Sequence, residues 1–159
     1  MDITRKPPVV AVKEFLASMQ LPTSDITADH MANYFGAWSD STLVGVVGIE
    51  PHGSVALLRS LAVAASKRGS GIGSALLKQA EQYAMEGCFR SMFLLTTTSE
   101  AFFKKHRYST ISRDKAPEEI RNTAEFAGIC PSGSVLMVKR LPANTPLNLG
   151  RGGVASRTG

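Results

Sequence analysis

The chain has 159 residues, 43% apolar and 19% charged, with a formal net charge of +5. This length suits one domain with a proper core, and no run approaches the ~18 apolar residues of a membrane span. Three scattered histidines and two cysteines, Cys88 and Cys130, give no C-x-x-C pair and no metal-ligand spacing, so no metal is expected.

The first eight residues are polar and carry no apolar signal segment, so a cytoplasmic protein without membrane contact is expected. Residues 8–19 read as a helix with Val9, Val12, Phe15, Leu16 and Met19 on one face and Pro22 as its stop. Thr27 is placed to cap a short helix at 28–34. Residues 34–38 and 42–50 flank Ser39, Asp40 and Ser41, which predicts a hairpin. Pro51, His52 and Gly53 turn into 55–63, apolar save Arg59 and Ser60, and such a run fits a central strand buried on both faces. Over 72–86 the spacing is helical, with Ile72, Leu76, Ala80 and Tyr83 on one stripe and Gly87 suited to the stop. Strands are expected at 92–97, 108–113 and 134–141, and a short helix at 100–105. The segment 114–131 is longer than a hairpin needs. Pro117, Ile120, Ala124 and Ala127 suggest a helix there, either over a functional site or simply packed on the surface. Residues 142–159 are rich in Pro, Asn, Gly and Ser, so 1–141 is expected to be the domain and the rest a flexible or subunit-contacting tail.

Arg68, Gly69, Ser70, Gly71, Ile72 and Gly73 lie between the central strand and the long helix. Glycines let backbone N–H groups approach an anion, and a helix N-terminus adds unpaired donors and a positive dipole end. The loop therefore reads as a phosphate cradle, and the chain's positive balance suits a small polyanion. It is not a P-loop, which would need Gly and Lys at Ser74 and Ala75. It fits a dinucleotide fingerprint poorly, because Ser74 stands at the third glycine and no acid closes the next apolar run before Glu100.

With Leu61, Ala62 and Val63 before it and Ser74, Ala75, Leu76 and Leu77 after it, the pattern Arg68-x-x-Gly71-x-Gly73 resembles the pyrophosphate loop of the GCN5-related N-acetyltransferases (GNAT). The order strand, loop, helix, strand, short helix also looks like that superfamily, from about Thr42 to Leu141. Residues 55–63, 94–98 with 101–103, and 123–126 through Cys130 and Pro131 look like its branch associated with arsenic-resistance operons. The resemblance implies an α/β (α+β) fold: a single mixed, mostly antiparallel twisted sheet with helices on both faces, the GNAT-like acyl-CoA acyltransferase fold.

The resemblance also implies acetyl-CoA as cosubstrate. The backbone of Leu61, Ala62 and Val63 would pair with the pantetheine arm. The amides from Arg68 through Gly69, Ser70, Gly71, Ile72 and Gly73 to Ser74 would hold the pyrophosphate, with the Arg68 side chain adding charge. Phe102, Phe103 and Lys105 are implied contacts on the other side of the cofactor, and core packing is the alternative for both phenylalanines. The family often protonates the departing thiolate with a tyrosine. Aligning Tyr108 with the last aromatic of that pattern puts Phe103 at the acid position, a departure from the family. Tyr108, His106 and Cys130 are candidates to replace it.

Acetyl transfer needs a neutral amine. A lysine-like amine of pKa about 10.4 faces a protonation deficit of roughly 4–5 kcal/mol at pH 7, and an α-amino group near 8 only about 1 kcal/mol. Candidate bases are Glu50 and His52, with exposed turn residues as the plainer reading. Arg59 sits in an apolar strand and, if buried, needs either an internal carboxylate or an anionic group on the substrate. An arginine with no obvious base suits an amino-acid-like acceptor, and relatives in the arsenic-associated branch act on amino-acid-like toxins. The expected function is N-acetylation of a small-molecule amine, amino-acid-like or arsenic-related, with Arg59, Glu50 and Tyr108 as catalytic candidates and a homodimer left open. The alternatives are acetylation of protein lysines or N-termini and a non-catalytic acyl-CoA-binding module. Nucleic acid is disfavoured, because basic residues are not interleaved with stacking aromatics.

Overall fold

The computed structural model describes residues 1–123, 126 and 133–143. In chain order these form β1 (Asp2–Arg5), α1 (Val9–Ser18), β2 (Tyr34–Ser39), β3 (Thr42–His52), β4 (Val55–Val63), α2 (Ile72–Glu86), β5 (Ser91–Thr96), α3 (Glu100–Lys105), β6 (Ser109–Ile111), α4 (Glu118–Arg121) and β7 (Val135–Arg140). Short 3₁₀ turns occupy Ala28–Asn33, Ala65–Lys67 and Arg113–Lys115. The strands make one sheet in the order β1-β2-β3-β4-β5-β7-β6. All neighbours are antiparallel except β4 and β5, which α2 joins as a crossover.

The elements follow local chemistry. Pro8, which has no N–H to leave unpaired, stands just before α1. The helix ends where Gln20 turns left-handed (φ 62) and the Leu21 N–H returns to the Leu16 carbonyl, so backbone closure stops it ahead of Pro22. Asp40 and Ser41 both take positive φ (49 and 68), as a two-residue hairpin turn requires. The expected helix at 28–34 is a 3₁₀ turn, with the Thr27 N–H donating to His30 Nδ1 at 3.1 Å. After α2 it is Cys88, not Gly87, that takes the left-handed position (φ 65). Strand β1 had no hydropathy signal: three of its four residues are exposed, and it is held by pairing with β2. The strand expected at 108–113 is confined to Ser109–Ile111. Of the 114–131 helix, the described part is α4, with Pro117 just before it. Ala124, Ala127, Cys130, Pro131 and the tail from 144 onward lie outside the described residues.

Alternation along the strands sorts the core onto two faces. Ala56 and Leu58 of β4, with Met92 and Leu94 of β5, pack against Leu76, Leu77, Ala80 and Ala84 of α2. On the opposite face, α1 and the 3₁₀ turn bring Val12, Leu16 and Met31 against Tyr34 and Val46. There, too, Leu57 and Phe93 pack under Ile120 of α4. Residues 56–59 are all buried, so β4 is the central strand read from its apolar run.

Candidate functional site

Two irregularities open the sheet at its centre. Between the rungs Gly48↔Arg59 and Val46↔Ala62, β4 advances three residues while β3 advances two. The extra residue makes a bulge, and Ser60 takes φ 62 there. On its other edge β4 pairs with β5 only at Val55↔Ser91, Ala56↔Met92 and Leu57↔Phe93. Beyond those rungs, residues 58–63 and 94–97 face each other across a cleft of about 780 Å³. An unpaired strand edge presents main-chain donors and acceptors to an extended ligand.

The cleft runs to the glycine loop. Gly69 and Gly71 adopt φ 81 and 87, a region that costs an L-residue about 1–2 kcal/mol, and a Cβ at either would meet nothing within 4 Å. Gly71 is the N-cap of α2, no side chain caps the helix, and its first turn holds no acid. The Ala75 N–H is bonded to the Gly71 carbonyl at 3.0 Å, so the amides of Ile72, Gly73 and Ser74 precede the first intrahelical bond. Lys67 and Arg68 line the same end. Open amides, a helix dipole and two cations make an anion cradle.

Most of the cofactor candidates gather here. Leu61, Ala62, Val63, Arg68, Gly69, Gly71, Ile72, Gly73, Ser74, Phe102 and Phe103 all line the cleft. Ser70 and Lys105 are exposed and do not. The Ser70 hydroxyl instead donates to the Lys67 carbonyl. Phe103 is buried and packs edge-on against Phe102 (centroids 5.1 Å apart) and Tyr108 (5.5 Å), so it lines the cleft and serves the core together. The His106 ring lies 4.8 Å from that of Phe102, tilted by 51°, and its Nε2 lies 3.1 Å from Ser74 Oγ.

Tyr108 lies away from the cleft. Its buried hydroxyl donates to Glu81 Oε2 at 2.9 Å, and Lys139 Nζ donates to Glu81 Oε1 at 2.9 Å. Burial, reinforced by the Glu81 charge, pushes the Tyr108 phenol up. This group ties α2 to β7.

At the bulge, Arg59 lines the cleft yet is only 4% exposed, so it needs a counter-charge. Its guanidinium forms a bidentate pair with Asp25, one arm being Nη2 to Oδ1 at 2.8 Å, and Nη1 also donates to Glu50 Oε2 at 2.5 Å. The other Glu50 oxygen lies 3.1 Å from His52 Nε2. The hydrogen bond from Arg59, aided by its charge, holds the Asp25 carboxyl below its usual value against the opposing effect of burial. Ser60 Oγ bonds the Tyr34 hydroxyl at 2.9 Å, and burial pushes the Tyr34 phenol up to about 12. The Tyr34 ring occupies the space of a side chain at Gly48, where a Cβ would come 2.2 Å from Cζ.

The structure thus joins Arg59 to Glu50, and places Tyr108 elsewhere. Sequence reasoning missed Asp25, because an acid in a polar turn 34 residues before Arg59 looks like any surface residue. The one usable signal was the demand of a buried arginine for a carboxylate. It also missed Met19, Leu21 and Pro22 after α1, the hydroxyl-rich wall Thr96, Thr97, Thr98 and Ser99, and Ser134. Among the described residues no cluster of His, Cys, Asp and Glu could hold a metal, and no helix is long and apolar enough to cross a membrane.

Comparison with known proteins agrees with this geometry. The Acetyltransferase (GNAT) family pattern matches residues 5–108. An uncharacterised N-acetyltransferase of Chlorobaculum tepidum is 32% identical over 115 residues, covering 71% of this chain and 74% of the relative. A Mycobacterium tuberculosis protein solved with CoA superposes with a TM-score of 0.75 at 20% identity, over 89% of this chain and 100% of that one. N-acetylglutamate synthase of Neisseria gonorrhoeae, solved with CoA and N-acetyl-glutamate, gives 0.74 at 20% identity over 89% of this chain. The match spans only 35% of the Neisseria enzyme's length. Tetrahymena GCN5 gives 0.67 at 15% identity, with coverages of 89% and 97%.

Proposed function

We propose that this chain, which belongs to the GNAT family of acetyltransferases, transfers the acetyl group of acetyl-CoA to the amine of a small molecule. The observation that carries this reading is the sheet opened between β4 and β5, whose free edge leads to the uncapped N-terminus of α2. That layout fits a long thioester with a diphosphate at one end. Leu61, Ala62 and Val63 offer main-chain groups to its amide-bearing arm, and Phe102 supplies an apolar wall. Gly69, Gly71, Ile72, Gly73 and Ser74 would surround the diphosphate, with charge from Lys67 and Arg68.

The reacting carbonyl would then lie by the bulge, near Arg59 and Ser60. The amine nitrogen forms the new C–N bond, the C–S bond breaks, and a proton leaves the nitrogen. Glu50 is the base we assign, acting through water, with His52 carrying the proton toward solvent: their side chains are 15% and 28% exposed. Phe103 has no hydroxyl to give, and the departing thiol, with a pKa of about 8–9, is a fair leaving group without an acid. The likeness to the arsenic-associated branch extends this proposal to amino-acid-like acceptors. Arg59 as the clamp for their carboxylate would have to yield Asp25 or Glu50 first.

Thiol release from acetyl-CoA over a panel of small amines, amino acids and lysine peptides tests the reading. Turnover with a small amine is expected. Acetyl-CoA binding with no release from any small amine, or release only with peptides, overturns it.

A further inference from the structure

We infer that Ser134 is a catalytic residue: its hydroxyl oxygen accepts an N–H of the attacking amine and so holds that nitrogen against the thioester. This rests on the acetyltransfer reading above and adds to it a residue on the acceptor side.

Among the described residues, two buried side-chain polar atoms lack a hydrogen-bond partner, Arg113 Nη1 and Ser134 Oγ. Arg113 does not line the cleft, and its guanidinium lies over the Phe126 ring at 4.9 Å. Ser134 does line it and is only 5% exposed. Other hydroxyls of the cleft are engaged: Ser60 with Tyr34, Ser74 with His106, and Thr96 accepting the Ser99 N–H. Thr97 and Thr98 are exposed, so water can serve them. A buried hydroxyl left unpaired is costly. One on the wall of a ligand cleft points to a partner that arrives with the ligand.

Register puts Ser134 beside the reacting carbonyl. The last rung between β5 and β7 is Thr96↔Val135, so Ser134 stands level with Thr97. Counted on from the rung Leu57↔Phe93, Thr97 is level with Leu61, just past the bulge at Ser60. Alternation sets the face. Leu57 and Leu136 belong to the apolar cluster under α4, and Arg59 and Ser134 each lie two residues from one of them. Both therefore sit on the face opposite α2, on either side of the opening. The diphosphate is held at the N-terminus of α2, which leaves this face to the acceptor.

A neutral amine brings N–H donors to that free oxygen. Holding one N–H turns the nitrogen lone pair toward the acetyl carbon, which is how orientation speeds a reaction between two bound groups. The C–N bond forms, the C–S bond breaks with its electron pair on sulfur, and the nitrogen's proton leaves through water to Glu50 as above. Ser134 keeps its own proton throughout.

The test measures kcat and KM for the best acceptor of the small-amine and amino-acid panel, with Ser134→Ala and Ser134→Thr beside wild type. Ser134→Ala is expected to lower kcat/KM for the amine roughly 10-fold, as loss of one hydrogen bond to the reacting nitrogen warrants. CoA affinity by calorimetry should stay the same. Its Tm should equal or exceed that of wild type, because the free protein loses an unpaired hydroxyl. Ser134→Thr keeps the oxygen and should keep most of the rate. Wild-type kcat/KM in Ser134→Ala, a fall matched by weaker CoA binding, or a Tm several degrees lower overturns the inference and leaves acetyltransfer standing. So does Ser134→Thr as slow as Ser134→Ala. Acetyl-CoA bound with no thiol released from any amine overturns both.

Discussion

Gly71→Glu separates the two reasons for a glycine at the mouth of α2. Gly71 sits at φ 87 with no atom within 4 Å of an added Cβ. An added Cβ has open space in the free protein, and the cost is conformational: about 1–2 kcal/mol for a left-handed L-residue. In a chain of this size that lowers Tm by roughly 2–8 °C, so the protein should remain folded. The ligand sees a different change. A carboxylate about 4 Å from a phosphate oxygen, at an effective dielectric of 20, costs ~4 kcal/mol, or about three orders of magnitude in affinity. Gly71→Ala serves as control, with the same strain and no charge. Calorimetric titration with CoA, beside thermal melts of all three proteins, reads both quantities. A folded Gly71→Glu variant with wild-type CoA affinity would refute the placement of the diphosphate.

Other substitutions probe the remaining parts. Arg59→Leu leaves Asp25 and Glu50 without their shared counter-charge, and breaking such a buried pair costs roughly 3–5 kcal/mol by urea titration; wild-type stability would show the pair to be idle. The same pair sets a pH dependence. The Asp25 carboxyl titrates below its ordinary 3.8 in the folded protein, so its stabilising contribution is full above that value and is lost as pH falls through the lower folded value. Acid melts should show this loss in wild type and not in Asp25→Asn. Tyr108→Phe removes the bond to Glu81 and should cost about 1–3 kcal/mol of stability with little change in kcat. A fall in kcat of roughly 10²-fold or more at full stability would instead return Tyr108 to the chemistry.

Legibility followed the range of the interactions. α2 and α3 are defined by local periodicity and turn chemistry, and both span the residues expected of them. So does β4, whose apolar run marked it as central before any partner strand was known. β1 escaped because its stability comes from the partner strand and not from its own side chains. α2 ends at Glu86 with Gly87 as its cap, but the left-handed turn that follows falls on Cys88.

One end of the cleft is legible in a few neighbouring residues. A helix N-terminus and glycines free to take positive φ are properties of a few adjacent residues, so Arg68 to Ser74 could be read as an anion cradle directly. The other end is assembled from residues far apart in the chain. The bulge at Ser60 is a mismatch between two strands, and the partnership of Asp25, Glu50 and Arg59 joins a loop to two strands. An arginine in an apolar strand asks only for a partner if it is buried, since a buried charge cannot stand alone. Which carboxylates answer it depends on chain segments brought together only by folding.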